Sequence, residues 1–287
     1  MNIGIVGLGL IGGSLAKAYK RSGYTVWGTD NDDIVTQYAV MAHAVDEELT
    51  DANIGQCDMI LVAIPPVGAV KWIQDNAEKF SKKTIILDCC GTKRTVCKSC
   101  FEIADKYGLT YMGGHPMAGK ERGGFKNSSA DMFKDAPFIL VPEKCNDMEL
   151  LCKVKGMLMD AGFGRVGVTT PEEHDRVIAF TSQMPHIVSN GFIKSDTALI
   201  DSQMISAGSY QDFTRVAYLD EKMWTELFME NRDFLSKEIN GLISELSKYA
   251  EALEKDDPAK LMKLLAEGKK CKTAVLKKCG PAQKNGE

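Results

Sequence analysis

The sequence predicts an α/β protein: a doubly wound parallel sheet in the N-terminal part, followed by an all-helical domain. Three observations predict it. Up to about Val168, short apolar runs alternate with amphipathic stretches, the rhythm of strand–helix–strand units. Residues 59–64 are apolar without a break, as in strands covered by helices on both faces. After Pro171 the strand pattern disappears and apolar residues recur at helical intervals. A length of 287 residues suits about two domains of roughly 150 each, and the change of pattern divides them at 1–168 and 169–287.

Taken in order, the short apolar runs place strands at 2–6, 25–28, 59–64, 84–88, 109–113, 138–141 and 165–168. The amphipathic stretches between them place helices at 11–21, 34–41, 67–80, 95–107 and 148–161. One helix is expected from 171 to about 195, then shorter pieces, then a long one over 221–254. In that last stretch Leu227, Leu235, Ile239, Leu242, Leu246, Tyr249 and Leu253 recur mostly three and four apart. Such a stripe would run about 50 Å at 1.5 Å per residue. A helix of that length packs on a partner, so a bundle or a homodimer interface is expected. From Lys269 onward closely spaced lysines and Gly280-Pro281 predict a frayed, solvated tail.

Composition excludes several function classes. Thirty-five basic against 39 acidic residues leave a formal charge of −4 with no long basic run, which disfavours nucleic acid. No apolar stretch approaches the ~20 residues that span a bilayer, and the first residues lack a secretory pattern. Nine cysteines, an odd count without such a leader, predict reduced thiols in a cytoplasm. Cys97-Lys-Ser-Cys100 has zinc-ligand spacing, but no second Cys or His pair follows at the usual interval, so no metal is expected.

Gly7, Gly9 and Gly12 form a G-x-G-x-x-G pattern between the first strand and the first helix. The first glycine permits a tight turn, the second lets backbone approach a pyrophosphate, and the third allows close helix–strand packing, the fingerprint of a Rossmann-type dinucleotide domain. Leu10 and Ile11 lie on the helix N-terminus that would face the anion. Asp30 ends the second strand, near the ~20-residue offset at which an acid meets the adenosine ribose. With no arginine just after it, NAD is favoured over NADP. Asp30 fits equally a cap for the following helix. Ala63 and Pro65, at the end of the next apolar strand, complete the expected cofactor-binding set.

Of four histidines, His115 follows the strand-like Tyr111-Met112-Gly113-Gly114 and so stands at a carboxyl strand end, where doubly wound sheets bind ligands. It fits either a structural histidine or an acceptor for a hydroxyl proton during hydride removal. The run Gly114-His115-Pro116-Met117-Ala118-Gly119-Lys120-Glu121 resembles the H-P-M/I-A-G-x-E segment of prephenate and arogenate dehydrogenases. Ser182-Gln183-Met184-Pro185-His186 resembles that family's S-x-x-P-H segment. Gly208-Ser209-Tyr210-Gln211-Asp212-Phe213-Thr214-Arg215, with Trp224 nine residues on, resembles its G-x-x-x-D-F-T-R…W segment. The likeness covers nearly the whole chain.

The resemblance implies that His115 is the catalytic histidine at the substrate's 4-hydroxyl and that Arg215 anchors a substrate carboxylate. It also implies that His186, Ser182, Glu121, Asp212 and Gly208 line or gate the substrate pocket. Read from the residues alone, Arg215 fits as well an ion pair with Asp212, His186 a core histidine, and Glu121 and Asp212 solvated acids. The implied reaction is NAD-dependent oxidative decarboxylation of prephenate in tyrosine biosynthesis, with arogenate as the rival substrate and an NAD-sensing regulator as a non-enzymatic rival. Two positions depart from the family pattern. Asp88-Cys89-Cys90-Gly91-Thr92-Lys93 has Gly91 where many relatives carry serine in D-x-x-S-x-K, leaving Thr92, Ser182 or a water as replacements for the hydroxyl. Lys120 stands where threonine is frequent. The chain leaves no room for a fused regulatory domain, so any tyrosine feedback is expected at the active site.

Overall fold

The computed structural model describes residues 1–120, 122–144, 147–199 and 208–279. Eight strands form one sheet: β1 (Asn2–Val6), β2 (Thr25–Thr29), β3 (Glu47–Glu48), β4 (Met59–Val62), β5 (Ile85–Asp88), β6 (Thr110–Pro116), β7 (Pro137–Pro142) and β8 (Arg165–Val168). Their order is β3-β2-β1-β4-β5-β6-β7-β8. The chain reverses its winding between β1 and β4, and this switch point is where doubly wound sheets hold ligands.

Both faces of the sheet are buried, which explains the unbroken apolar strands. In β4, Met59 and Leu61 join one apolar cluster with Ile5, Leu15 and Phe138. Ile60 and Val62 join the other with Val6, Ile73 and Val96. Because successive side chains point to opposite faces, a strand sandwiched between helix layers has no polar face to show. The covering helices are α1 (Leu10–Arg21), α2 (Asp33–Met41), α3 (Pro66–Asn76), α4 (Arg94–Tyr107) and α5 (Met148–Asp160).

The sheet is not wholly parallel. β7 runs antiparallel to β6, and β8 again parallel to β7. Between β6 and β7 the described residues make a short 3-10 turn, Phe125–Asn127, in place of the helical crossover that a parallel return requires. β3, two exposed residues, was too short to read from sequence.

The helix expected over 171–195 runs from Pro171 to Phe192 with a π-helical turn inside it. α6 (Pro171–Ile178) passes through a π-helical turn, Ala179–Gln183, into α7 (Met184–Phe192). Pro185 has no N–H to give to the carbonyl four residues back, and the Met184 N–H reaches the Ala179 carbonyl five back. α8 (Gly208–Thr214) and a short turn, Arg215–Ala217, follow. The helix expected over 221–254 is two: α9 (Glu221–Glu230) and α10 (Arg232–Glu254), parted at the buried Asn231. The Asn231 amide donates to the Asp175 carbonyl and to Gln183 Oε1, both at 2.8 Å. Tertiary capture of that side chain outweighs continuation of the stripe.

The tail corrects another expectation. α11 (Pro258–Cys279) stays helical well past Lys269, while its last described turns are exposed. Contacts group the chain into two compact units, Met1–Phe234 and Leu235–Glu287, so α6 to α9 pack within the unit that holds the sheet. In the second unit the Tyr249 hydroxyl lies 3.4 Å from the Leu264 carbonyl and Lys260 pairs with Glu251.

Candidate active site

The first group of expected residues gathers where β1, β2 and β4 end. Gly7 has a φ of +84°, and a Cβ there would meet Ile64 at 2.4 Å and the Ala63 carbonyl at 2.7 Å. The turn is therefore open to glycine alone and packs against the segment holding Ala63 and Pro65. A Cβ on Gly12 would stand 1.8 Å from the Gly7 carbonyl, so α1 lies directly on the turn. At Gly9 nothing stands within 4 Å. α1 starts there at Leu10 and Ile11 with no side-chain cap, leaving N–H donors for an anion in the clear space above Gly9.

Asp30 follows β2 and is half-buried. One of its oxygens accepts from the Leu8 N–H at 2.7 Å and the other from the Asp32 N–H at 3.1 Å. It braces the glycine turn and, with about four lone-pair sites on a carboxylate, keeps capacity for a diol. It is not the helix cap: Asp32 caps α2, accepting from the Ile34 N–H at 2.9 Å.

The second group centres on His115, half-buried near the carboxyl end of β6. Its Nδ1 lies 2.9 Å from Nε2 of His174, and His174 Nδ1 lies 2.8 Å from Asp175 Oδ1. His174 and Asp175, buried at the start of α6, were not singled out by sequence; the nearest signal was adjacent His and Asp just after Thr170-Pro171. Asp175 also accepts the Lys93 N–H at 2.7 Å and the Arg94 N–H at 2.9 Å, so a carboxylate from α6 caps α4. Burial, the neighbouring His174 and the Lys93 ammonium together hold the His115 ring well below its ordinary pKa of 6.5. Burial also lowers His174, against the pull of Asp175.

Beneath them, Asp88 at the end of β5 accepts from Tyr111 Oη at 2.7 Å, the Cys90 N–H at 2.9 Å and the Gly114 N–H at 3.1 Å, and pairs with the Lys93 ammonium. Burial alone would push Lys93 down, but Asp88 holds it above its ordinary value. A buried pair needs such saturation to offset desolvation. It also fastens the backbone one residue before His115. Gly91 has no hydroxyl to offer, and a Cβ there would meet Leu227 methyls at 3.2 and 3.3 Å. The Thr92 hydroxyl donates to the half-buried Glu230 carboxylate, which removes it as the replacement donor.

The third group lies on α7, α8 and the turn after it. His186 Nδ1 donates to the Ser182 carbonyl at 2.8 Å, which the π-helical turn presents to it, and Trp224 lies over the ring with centroids 4.2 Å apart. Ser189 Oγ donates to the Phe213 carbonyl at 2.7 Å and the Asn190 amide to the Ala217 carbonyl at 3.0 Å. These bonds hold the turn carrying Arg215 against the helix carrying His186. Arg215, Asp212 and Gly208 are exposed, and Ser182 is half-buried. His115 and Arg215 thus stand on separate elements; from His115 the bonds run through His174, Asp175, Asn231 and Gln183 to the Leu227 carbonyl on α9, which the Gln183 amide reaches at 3.1 Å. Glu121 lies outside the described residues, and exposed Lys120 donates to the Asn127 carbonyl at 3.1 Å.

A family model described as prephenate dehydrogenase, nucleotide-binding domain, matches residues 15–166, and one described as prephenate dehydrogenase, dimerization domain, matches 170–267. The chain belongs to the prephenate dehydrogenase family. Among relatives of this family, a cyclohexadienyl dehydrogenase of Zymomonas mobilis is 29% identical, with 96% of each chain covered. A prephenate dehydrogenase of Bacillus subtilis is 26% identical over 90% of this chain and 72% of its own. The crystal structure of prephenate dehydrogenase from A. aeolicus in complex with hydroxyphenyl propionate and NAD+ superposes with a TM-score of 0.82 at 27% identity, covering 96% of this chain and 98% of that one. Among the described residues, no group of three or more His, Cys, Asp or Glu side chains could hold a metal, and no helix is long and apolar enough to cross a membrane.

Proposed function

We propose that this member of the prephenate dehydrogenase family is an NAD-dependent enzyme that converts prephenate to 4-hydroxyphenylpyruvate with loss of CO2, in tyrosine biosynthesis. The observation that carries the reading is the placing of the His115 ring, half-buried at a strand end three strands from an open glycine turn, with one nitrogen tied to His174. NAD+, when bound, supplies the hydride acceptor. Gly7, Gly9 and Gly12 with the first turn of α1 would hold its pyrophosphate, Asp30 its ribose, and Ala63 and Pro65 the wall beside it. The A. aeolicus prephenate dehydrogenase, in complex with hydroxyphenyl propionate and NAD+, supports this assignment.

His115 then accepts the 4-hydroxyl proton as hydride leaves C4, and the ring becomes aromatic as CO2 departs. General-base help of this kind contributes about 10²–10⁴-fold. Arg215 is assigned to a substrate carboxylate, where a charge-assisted pair contributes roughly 1.5–3 kcal/mol and fixes orientation. His186, Ser182, Gly208, Asp212 and Glu121 complete the proposed substrate side. Residues 1–168 would supply the cofactor loops and 169–287 the substrate side and a homodimer contact. The free thiols of Cys57, Cys89, Cys90, Cys97, Cys100, Cys152 and Cys271 support a cytoplasmic setting.

Mixing the protein with NAD+ and either prephenate or arogenate tests the reading. The expected result is growth of reduced-cofactor absorbance, faster with prephenate. Preference for arogenate would reassign the substrate, and no turnover with either would end the enzymatic reading.

A further inference from the structure

We infer that His174 and Asp175 are positioning residues for His115: they hold its ring with hydrogen on Nδ1 and the lone pair on Nε2. This rests on His115 as the group that takes the substrate's hydroxyl proton. A carboxylate is an acceptor only, so the His174 nitrogen 2.8 Å from Asp175 Oδ1 carries the hydrogen. The other nitrogen of a neutral His174 is then an acceptor, and it faces His115 Nδ1 at 2.9 Å. His115 must donate there, which leaves Nε2 as its bare nitrogen.

Asp175 is itself held hard. Its carboxylate takes the Lys93 and Arg94 N–H groups and lies 3.4 Å from Arg94 Nε, while Asn231 binds its carbonyl. Capping α4 accounts for the carboxylate but requires no histidine beside it. A buried imidazole with its second nitrogen aimed at His115 has a use only if that ring must be oriented. No side-chain hydroxyl from the loop after β5 serves instead: Gly91 has none, and Thr92 donates to Glu230.

The proton balance follows. As the C4–H bond breaks and its electron pair leaves with the hydrogen as hydride, the O–H bond breaks, its electrons form the C4=O bond and an N–H bond forms at His115 Nε2; loss of CO2 then returns an electron pair through the ring to that oxygen, which takes the proton back. The Nδ1 hydrogen stays in its bond to His174. The new positive charge on His115 faces His174, whose far side is held by the Asp175 carboxylate.

Two measurements test this. Nitrogen-15 NMR of the four histidine rings of the whole protein, with His115 assigned by loss of its signals in H115N, should show His115 bound to hydrogen at Nδ1 and bare at Nε2. The reverse form overturns the inference, whether or not the protein turns over prephenate, so its failure is distinct from failure of the functional reading. In kinetics, His174→Phe, which offers no acceptor, should lower kcat about 10²-fold with KM nearly unchanged. His174→Gln, whose amide oxygen can accept from Nδ1, should recover most of that loss. Equal rates for H174F and the unaltered protein would overturn the inference. If H174F does not fold, the NMR form of His115 decides alone.

Discussion

His115 shows how a side chain common in proteins becomes specific through its surroundings. An exposed imidazole at pH 7 is about a quarter cationic, whereas burial, His174 and the nearby Lys93 ammonium disfavour the charge on this one. The acid limb of kcat/KM is therefore expected below pH 6.5; a midpoint above that value would remove His115 as the titrating base. Stability follows the same sign. His115 and His174 bind protons less readily folded than unfolded, so acidification through 6.5 favours the unfolded chain and stability should fall toward the lowered folded values. His115→Asn should cost about 10²–10⁴ in kcat while NAD+ still binds, and calorimetric titration with NAD+ checks the second half. His115 was legible in sequence because its flanking segment is a contiguous motif. His174 was not, since 59 positions separate partners that meet only when α6 lies against β6.

At the scale of elements, each end of a strand or helix carries its own reason. α1 is uncapped where an anion is expected, α2 is capped by Asp32, and α4 is capped from outside by Asp175. The glycine turn offers a paired test. Gly9→Ala places a methyl in open space, so the melting temperature should hold to within a few tenths of a kcal/mol of stability while NAD+ affinity falls at least about tenfold. Gly12→Ala meets the Gly7 carbonyl at 1.8 Å, so both stability and NAD+ binding should fall. Equal melting losses in the two variants would contradict these separate roles. Element boundaries were less legible than element types. The break at Asn231 depends on a side chain captured by distant partners, which periodicity does not record, whereas the π-helical turn before Pro185 follows from the missing proline N–H.

For the whole molecule, the helical region carries exposed apolar residues. Ile243, Leu246 and Leu253 on α10 and Met262 and Leu265 on α11 are 55, 55, 65, 71 and 60% exposed. Surfaces of that kind mark interfaces, and part of this region matches the family's dimerization domain. Sedimentation at micromolar concentration should give twice the chain mass; a single-chain mass would leave those residues unexplained.

Sequence alone determined the doubly wound architecture, the glycine turn and the order of the motif-bearing residues, because each is written in a short window: a period of two or 3.6, three spaced glycines, a contiguous histidine segment. Only the tertiary structure decided the direction of β7, the helix break at Asn231, the commitment of Thr92 to Glu230, and the line from Asp175 through His174 to His115. Those features are contacts between residues remote along the chain, and their energies exist only once the helices have packed.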